Sequence, residues 1–212
     1  RLSSQISRWT KDSDRRLHRV FSFLKHSLDI KLHGSLSTAD WQSVKIVAWP
    51  DADLNGDAMD TKSTSGFFIE LAGAGGRSMP LSWGAKKQGC TAVHTAEAEV
   101  VSLSTCLRNE LIPLQRLLEA IFKGAIDCDV MEDNAAAIVA VTKGYSPAMR
   151  HLPRTQRVSL GMLGEIFNGT PEEGEGNIRL IKAETAEHRG DLFTKELEAP
   201  KFRTALEMIQ MR

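Results

Sequence analysis

The sequence predicts a mixed α/β domain: a five-stranded mixed sheet with helices on its faces. Three β-rich stretches follow one another with short turns between them, which favours an antiparallel meander. After residue 95 the apolar period lengthens to helical spacing, and further strands alternate with helices. That alternation favours parallel pairing, with helices covering the sheet. The chain has 212 residues and is 42% hydrophobic, enough for one large domain or a domain with an added segment.

The elements read in order as follows. Leu17, Val20, Phe21, Leu24 and Leu28 form a helical stripe, with Asp12 or Ser13 as the candidate cap. A loop from His33 to Ser43 leads to a first strand, Val44 to Trp49, which runs into the acidic turn PDADLNGDAMD. Ser65 to Leu71 is a second strand, Gly73, Gly75 and Gly76 make a turn, and Met79 to Trp83 is a third strand. From Thr95, the residues Val100, Leu103, Leu107 and Leu111 line one helical face. Pro113 lacks an N–H and ends or kinks that helix, and a second piece continues through Leu117 and Ile121. Ile126 to Met131 is a fourth strand, Asn134 to Val141 a helix, and a further helix falls between Thr155 and Phe167. The polar turn NGTPEEGEGN precedes a fifth strand, Ile178 to Ile181, and two short helices split by Pro200 close the chain.

Formal net charge is zero, which argues against tight non-specific nucleic-acid binding through a strongly basic surface. It leaves room for a local basic groove. The three cysteines, Cys90, Cys106 and Cys128, are odd in number and form no CxxC pair. They fit a reduced intracellular protein in which buried thiols act as small hydrophobes. No apolar run approaches the roughly 20 residues that span a bilayer, and no signal peptide is visible. The chain begins at Arg1 rather than Met, as expected for a piece of something longer.

Four acids stand where chemistry gathers. Asp51 follows the first strand, Glu99 lies in the first turns of the long helix, Asp133 follows the fourth strand, and Asp191 is near the start of a C-terminal helix. Sites in α/β sheets collect at strand ends. If strands one and four are parallel neighbours, both carboxylates project into one crevice. Clustered carboxylates repel, and a cation relieves them. Oxygen-only ligands select hard ions such as Mg²⁺ or Mn²⁺. Two ions about 3.5–4 Å apart suit in-line attack on a phosphodiester. Taken singly, each acid reads as a cap or turn residue. Asp53, Asp57 and Asp60 read as loop acids, Glu97 as an exposed first-turn residue, and Asp127 and Asp129 as solvent-facing. Glu132 adjoins Asp133 and stays open between the two readings.

Five stretches together go further: PDADLNGDAMDTKSTSGFFIEL, PLSWGAKKQ, TAEAEVVSLS, MEDNAAAIVA and GDLFTKEL. In order and spacing they resemble the ribonuclease H region of copia-type retrotransposon polyproteins, from about Val44 to Leu197. Residues 1–36, through Trp9-Thr10 and DRRLHRVFSFLKHSLD, resemble the segment joining reverse transcriptase to ribonuclease H. The resemblance implies a ribonuclease H-like fold over residues 44–212. It implies that Asp51, Glu99, Asp133 and Asp191 are the catalytic, metal-binding acids, holding two Mg²⁺ ions with Mn²⁺ as the alternative. Leu54 stands where the family usually has Trp, and Glu132-Asp133 where it has Cys-Asp.

The implied activity is endonucleolytic hydrolysis of the RNA strand of an RNA–DNA hybrid during reverse transcription. The hybrid is then read by shape, backbone and 2′-OH. The alternative is a catalytically silent ribonuclease H-like tether or nucleic-acid-binding module of a decayed or domesticated element. Lys86 and Lys87, then Arg154 and Arg157 beside Arg150 and His151, are the candidate phosphate contacts. In many ribonucleases H a mobile His near the last acid aids product release, and His188 is the candidate here. Ser63, Thr64 and Ser65 either contact phosphate or shape the hairpin. The expected partners are the hybrid and the reverse transcriptase of the same polyprotein, with no membrane and no small-molecule cofactor. The expected location is intracellular, in a cytoplasmic particle or the nucleus.

Overall fold

The computed structural model describes residues 2–55, 61–169 and 177–212; Asp57, Asp60 and most of the NGTPEEGEGN stretch lie outside the described residues. Helix α1, Lys11–His26, is capped by Thr10 rather than Asp12 or Ser13. The Thr10 hydroxyl accepts from the Ser13 N–H, and the Ser13 hydroxyl accepts from the Thr10 N–H. This reciprocal box satisfies two donors that the first turn leaves without helical partners. The helix lies beside the core. Phe23 meets Phe202 edge-on at 5.6 Å, while Phe21 and Leu28 stay 62% and 78% exposed. The chain after it is tied down by backbone pairing of Lys31 with Arg212 and of Ser35 with Ser78.

The sheet comprises β1 (Lys45–Asp53), β2 (Thr64–Ala72), β3 (Ser78–Lys87), β4 (Cys128–Glu132) and β5 (Ile178–Lys182). Its order is β3-β2-β1-β4-β5, with β1, β2 and β3 antiparallel and β4 and β5 parallel to β1. This is the ribonuclease H-like arrangement. Helix α2 (Thr95–Cys106) leads through a π-helical turn, Leu107–Leu111, into α3 (Ile112–Phe122). Pro113 therefore does not end the helix. Its ring and missing N–H are absorbed by the wider turn just before it. Next come α4 (Ala135–Thr142), α5 (Leu152–Thr155), α6 (Leu160–Asn168), α7 (Asp191–Thr194) and α8 (Ala199–Met208).

Alternation along the strands feeds two layers. Ile46, Ala48, Ile69, Leu71 and Val130 pack with Val100, Leu103, Leu107 and Leu111 of the long helix and with Val141 and Leu163. On the opposite face Val47, Trp49 and Phe68 pack with Ile209, Leu192 and Phe193. Each fully buried Leu or Ile contributes about 1.5–3 kcal/mol.

Strand β1 is longer than the apolar pattern predicts. Pro50 and Asp51 continue it, opposite Phe67 and Gly66 of β2. A proline is disfavoured in a central strand because it cannot donate to the ladder. Here β4 pairs with β1 only from Ile46 to Ala48, so Pro50 lies past the last parallel pair.

Two acids correct the expectation of solvent exposure. Asp129 is 2% exposed and pairs with Lys45 at 2.6 Å and Arg179 at 2.8 Å. Glu97 is fully buried, accepting from the Val93 N–H at 2.9 Å and lying 2.9 Å from His151 Nε2. In both, a distant partner decides the burial that local sequence does not reveal.

Asp40 ties the segment before β1 to the β2–β3 hairpin. Its carboxylate accepts from the Ser37 hydroxyl at 2.6 Å, the Ser37 N–H at 2.7 Å and the Gly75 N–H at 3.1 Å. These bonds, the Ser37 hydroxyl first, hold its pKa below the ordinary carboxylate value. A lowered folded-state pKa stabilises above the unfolded value, near pH 4, and that stabilisation is lost as pH falls through the folded value. Asp40→Asn is expected to lower Tm at pH 7, with the gap to wild type closing below about pH 4. Melting curves from pH 3 to 7 test this, and a gap independent of pH would contradict it.

Candidate active site and its basic groove

Asp51 is the hub. It is fully buried on β1, and α2 is fastened to its backbone, because the Ser102 hydroxyl donates to the Asp51 carbonyl at 2.7 Å. Glu99 lies one turn earlier on α2 and is 3% exposed, and Asp133 follows β4 directly. Asp51, Glu99 and Asp133 offer ligand atoms that all lie within 4.8 Å of one another. Asp51, His188 and Asp191 form a second such group. The structure thus gathers all four predicted acids around Asp51, in two adjoining halves.

Helix α7 reaches Asp51 because two glycines let it close in. A Cβ on Gly190 would stand 2.6 Å from the Trp49 carbonyl oxygen and 2.8 Å from Asp51 Cβ. A Cβ on Gly66, the last residue of KSTSG, would stand 2.6 Å from Thr194 Cγ2. With both close approaches made, the Thr194 hydroxyl donates to Asp51 Oδ2. Lys195 Nζ lies 3.0 Å from Asp51 Oδ1 and 2.5 Å from Asp191 Oδ1. On the far side of Trp49, Glu70 is 2% exposed and pairs with Arg189, holding the loop that leads into α7.

Sequence reasoning left Glu132 open and passed over Thr194 and Lys195. Glu132 is 1% exposed; one oxygen accepts from the Asn134 N–H at 3.0 Å, and Oε2 has no hydrogen-bond partner among the described residues. Burial, then the charges of Glu132, Asp51 and Asp133, push the Glu99 carboxyl up to about 10. Burial pushes Glu132 up to about 8, with Asp133 and Asp51 adding to it. Asp191 is raised too, by burial first, against the pull of Lys195. Burial opposes the charge on Lys195, yet Asp51 and Asp191 hold its ammonium above the ordinary lysine range. The signal for Lys195 was its place four residues after Asp191, one helical turn on.

His188, the candidate auxiliary histidine, lies inside the fold. Its ring is buried, edge-on to Trp49 at 5.7 Å, with Nε2 3.1 Å from the Met131 carbonyl oxygen. Nδ1 makes no hydrogen bond among the described residues and points toward Asp191 Oδ1, 3.9 Å away.

The basic residues gather beside the acids. A groove of about 560 Å³ is lined by Lys86 and Lys87 at the end of β3, by Ser104, Thr105, Arg108 and Asn109 of the long helix, and by Arg157. Arg154 is exposed on α5 and does not line it. Arg108 was missed because its residue type alone does not separate it from other solvated arginines. Ser63 is buried and accepts from the Asn55 N–H at 3.4 Å, shaping the hairpin, whereas Ser65 accepts from Gln88 at 2.9 Å and also lines the groove.

No family model matches the chain. Over 164 residues, 77% of its length, it is 26% identical to the retrovirus-related Pol polyprotein from transposon TNT 1-94 of Nicotiana tabacum. The chain is similar to part of a retrotransposon Pol polyprotein. It spans about 11% of the length of that relative. Among solved structures it is similar to LC11-RNase H1 isolated from compost, at 16% identity and TM-score 0.46, covering 76% of this chain and 98% of that one. It is also similar to RNase H1 of Halobacterium salinarum, at 14% identity and TM-score 0.43, covering 71% and 94%. Among the described residues, no helix is long and apolar enough to cross a membrane.

Proposed function

We propose that this retrotransposon ribonuclease H-like chain is a metal-dependent endonuclease that hydrolyses the RNA strand of an RNA–DNA hybrid during reverse transcription. One observation carries the reading: two groups of potential metal ligands, Glu99 with Asp133 and His188 with Asp191, share Asp51, and a basic groove runs past Ser65, next to the sheet partner of Asp51. The donor set fits hard divalent ions. It is rich in carboxylate oxygen, and the buried Glu132 Oε2 and His188 Nδ1 lack hydrogen-bond partners among the described residues. Asp51, Glu99 and Asp133 are the ligands of one half, and Asp51 and Asp191 of the other. Mg²⁺ or Mn²⁺ held there supplies the positive charge that activates water and steadies a leaving oxygen. Ser102 and Thr194 fix Asp51 in place, and Lys86, Lys87, Arg108 and Arg157 hold backbone phosphates along the groove.

Residues 1–36 are, in this reading, the connector toward the polymerase, and residues 44–212 the nuclease. The exposed apolar stripe of α1 supports that division. The test is a labelled RNA–DNA hybrid incubated with the chain in Mg²⁺, in Mn²⁺ and in chelator. RNA cleavage that depends on the ion is expected. Hybrid binding without turnover in either ion would favour the silent tether.

Substrate affinity is expected to be modest and only mildly salt-dependent. Each phosphate contact contributes about 0.7–0.9 to the log–log salt slope, and the groove offers few cations. Lys86→Ala with Lys87→Ala is expected to weaken hybrid binding and flatten the slope, with a smaller change in the rate at saturation. A salt titration of affinity measures this; equal slopes for the two proteins would make the lysines a solvated strand end.

A further inference from the structure

The two halves of the carboxylate cluster are balanced differently. None of the ion pairs among the described residues involves Glu99, Glu132 or Asp133, so the half formed by Asp51, Glu99 and Asp133 meets a side-chain cation only through the shared Asp51. The other half holds that cation between its two carboxylates. Lys195 Nζ touches Asp51 Oδ1 at 3.0 Å and Asp191 Oδ1 at 2.5 Å. It therefore stands between the two carboxylates that a second ion would bridge. The next residue back, Thr194, engages the other Asp51 oxygen.

We infer that Lys195 is a built-in cation of the Asp51–Asp191 half, so that one divalent ion binds readily and a second binds only when the lysine withdraws. The inference rests on the nuclease reading of this site and adds how the site is filled. A Mg²⁺ ion requires oxygens at about 2.0–2.1 Å, and it competes for the same two carboxylate oxygens that the ammonium occupies. Two cations sharing those oxygens also repel. The lysine can leave because its stem is flexible and its side chain is 33% exposed. Asp51 by contrast is fully buried and stays where it is. His188 Nδ1, aimed at Asp191 and making no hydrogen bond among the described residues, remains as a further donor once the lysine has gone. Lys195 thus acts through the ligands, as a positioning residue. In the metal-free protein it neutralises them.

The experiment is Mn²⁺ binding to the full chain, followed by the loss of the free-ion electron paramagnetic resonance signal and by calorimetry, without substrate. Wild type is expected to take up one tight ion and a second at least tenfold more weakly. Lys195→Gln is expected to bind the second ion at least tenfold more tightly than wild type, and to melt lower in chelator. Lys195→Arg, which keeps the charge, is expected to retain the weak second site. Two equal, tight ions in wild type would overturn the inference even if the Gln variant does not fold. A second site unchanged or weakened in Lys195→Gln would overturn it too, because a merely structural lysine predicts that result. No Mn²⁺ uptake by wild type or by either variant would overturn the metal-site reading itself, and this inference with it.

Discussion

Asp51→Asn is expected to abolish hybrid cleavage, by at least about a thousandfold, while leaving the chain folded. Groups that act as a unit fail as a unit, so losing the shared ligand costs nearly as much as losing the site. Asp51 belongs to both carboxylate groups, whereas Asp133 and Asp191 belong to one each. Stability responds through two opposed effects. Lys195 loses one of its two carboxylate partners but keeps Asp191. Glu99, whose carboxyl is pushed up by burial, by Glu132 and by Asp51, loses one source of repulsion. The asparagine side chain also preserves an acceptor for the Thr194 hydroxyl. A residual imbalance of about 1 kcal/mol would move Tm by roughly 2–4 °C in a domain of this size. Turnover and a melting curve on the same preparation check both halves of the expectation. Turnover retained in the folded variant would remove Asp51, and with it the metal mechanism, from the chemistry.

The order of strands and helices was legible in the sequence because it rests on period: alternation in the first three strands, helical spacing from Thr95 onward. What the sequence did not disclose depends on partners far along the chain. β1 runs on through Pro50 to Asp53 because β2 pairs with it there, and no local propensity encodes that. Asp129 and Glu97 look like surface acids until Lys45, Arg179 and His151 are brought to them. The four predicted acids could be named from their places at strand ends and helix starts together with the motif resemblance. The geometry brings their ligand atoms together in two groups that share Asp51. Lys195 escaped notice for a physical reason. A lysine just past the end of a helix is ordinarily a solvated partner of the helix dipole. Only the close approach of α7 to β1 turns it toward Asp51.

That close approach supports the other large expected effect. Gly190→Ala is expected to cut cleavage by at least about a hundredfold and to destabilise the fold by about 1–3 kcal/mol, the usual cost of overpacking. The added methyl would stand 2.6 Å from the Trp49 carbonyl oxygen, 2.8 Å from Asp51 Cβ and 2.9 Å from His188 Cε1. None of these atoms is the free end of a flexible chain. The carbonyl belongs to the central strand, and the imidazole is buried against Trp49. The segment carrying Gly190 must therefore move outward, and α7 with it. That shift draws Thr194, Lys195 and Asp191 away from Asp51, so the half of the site built by α7 opens. A displacement of 1 Å in a catalytic constellation can cost a hundredfold in rate, which makes activity a more sensitive reporter than stability. Gly124→Ala is the matched control, because a Cβ there meets nothing within 4 Å. Melting temperature and single-turnover hybrid cleavage, measured on both variants, decide the point. Wild-type cleavage by Gly190→Ala would mean that the placement of α7 against β1 does not govern the chemistry.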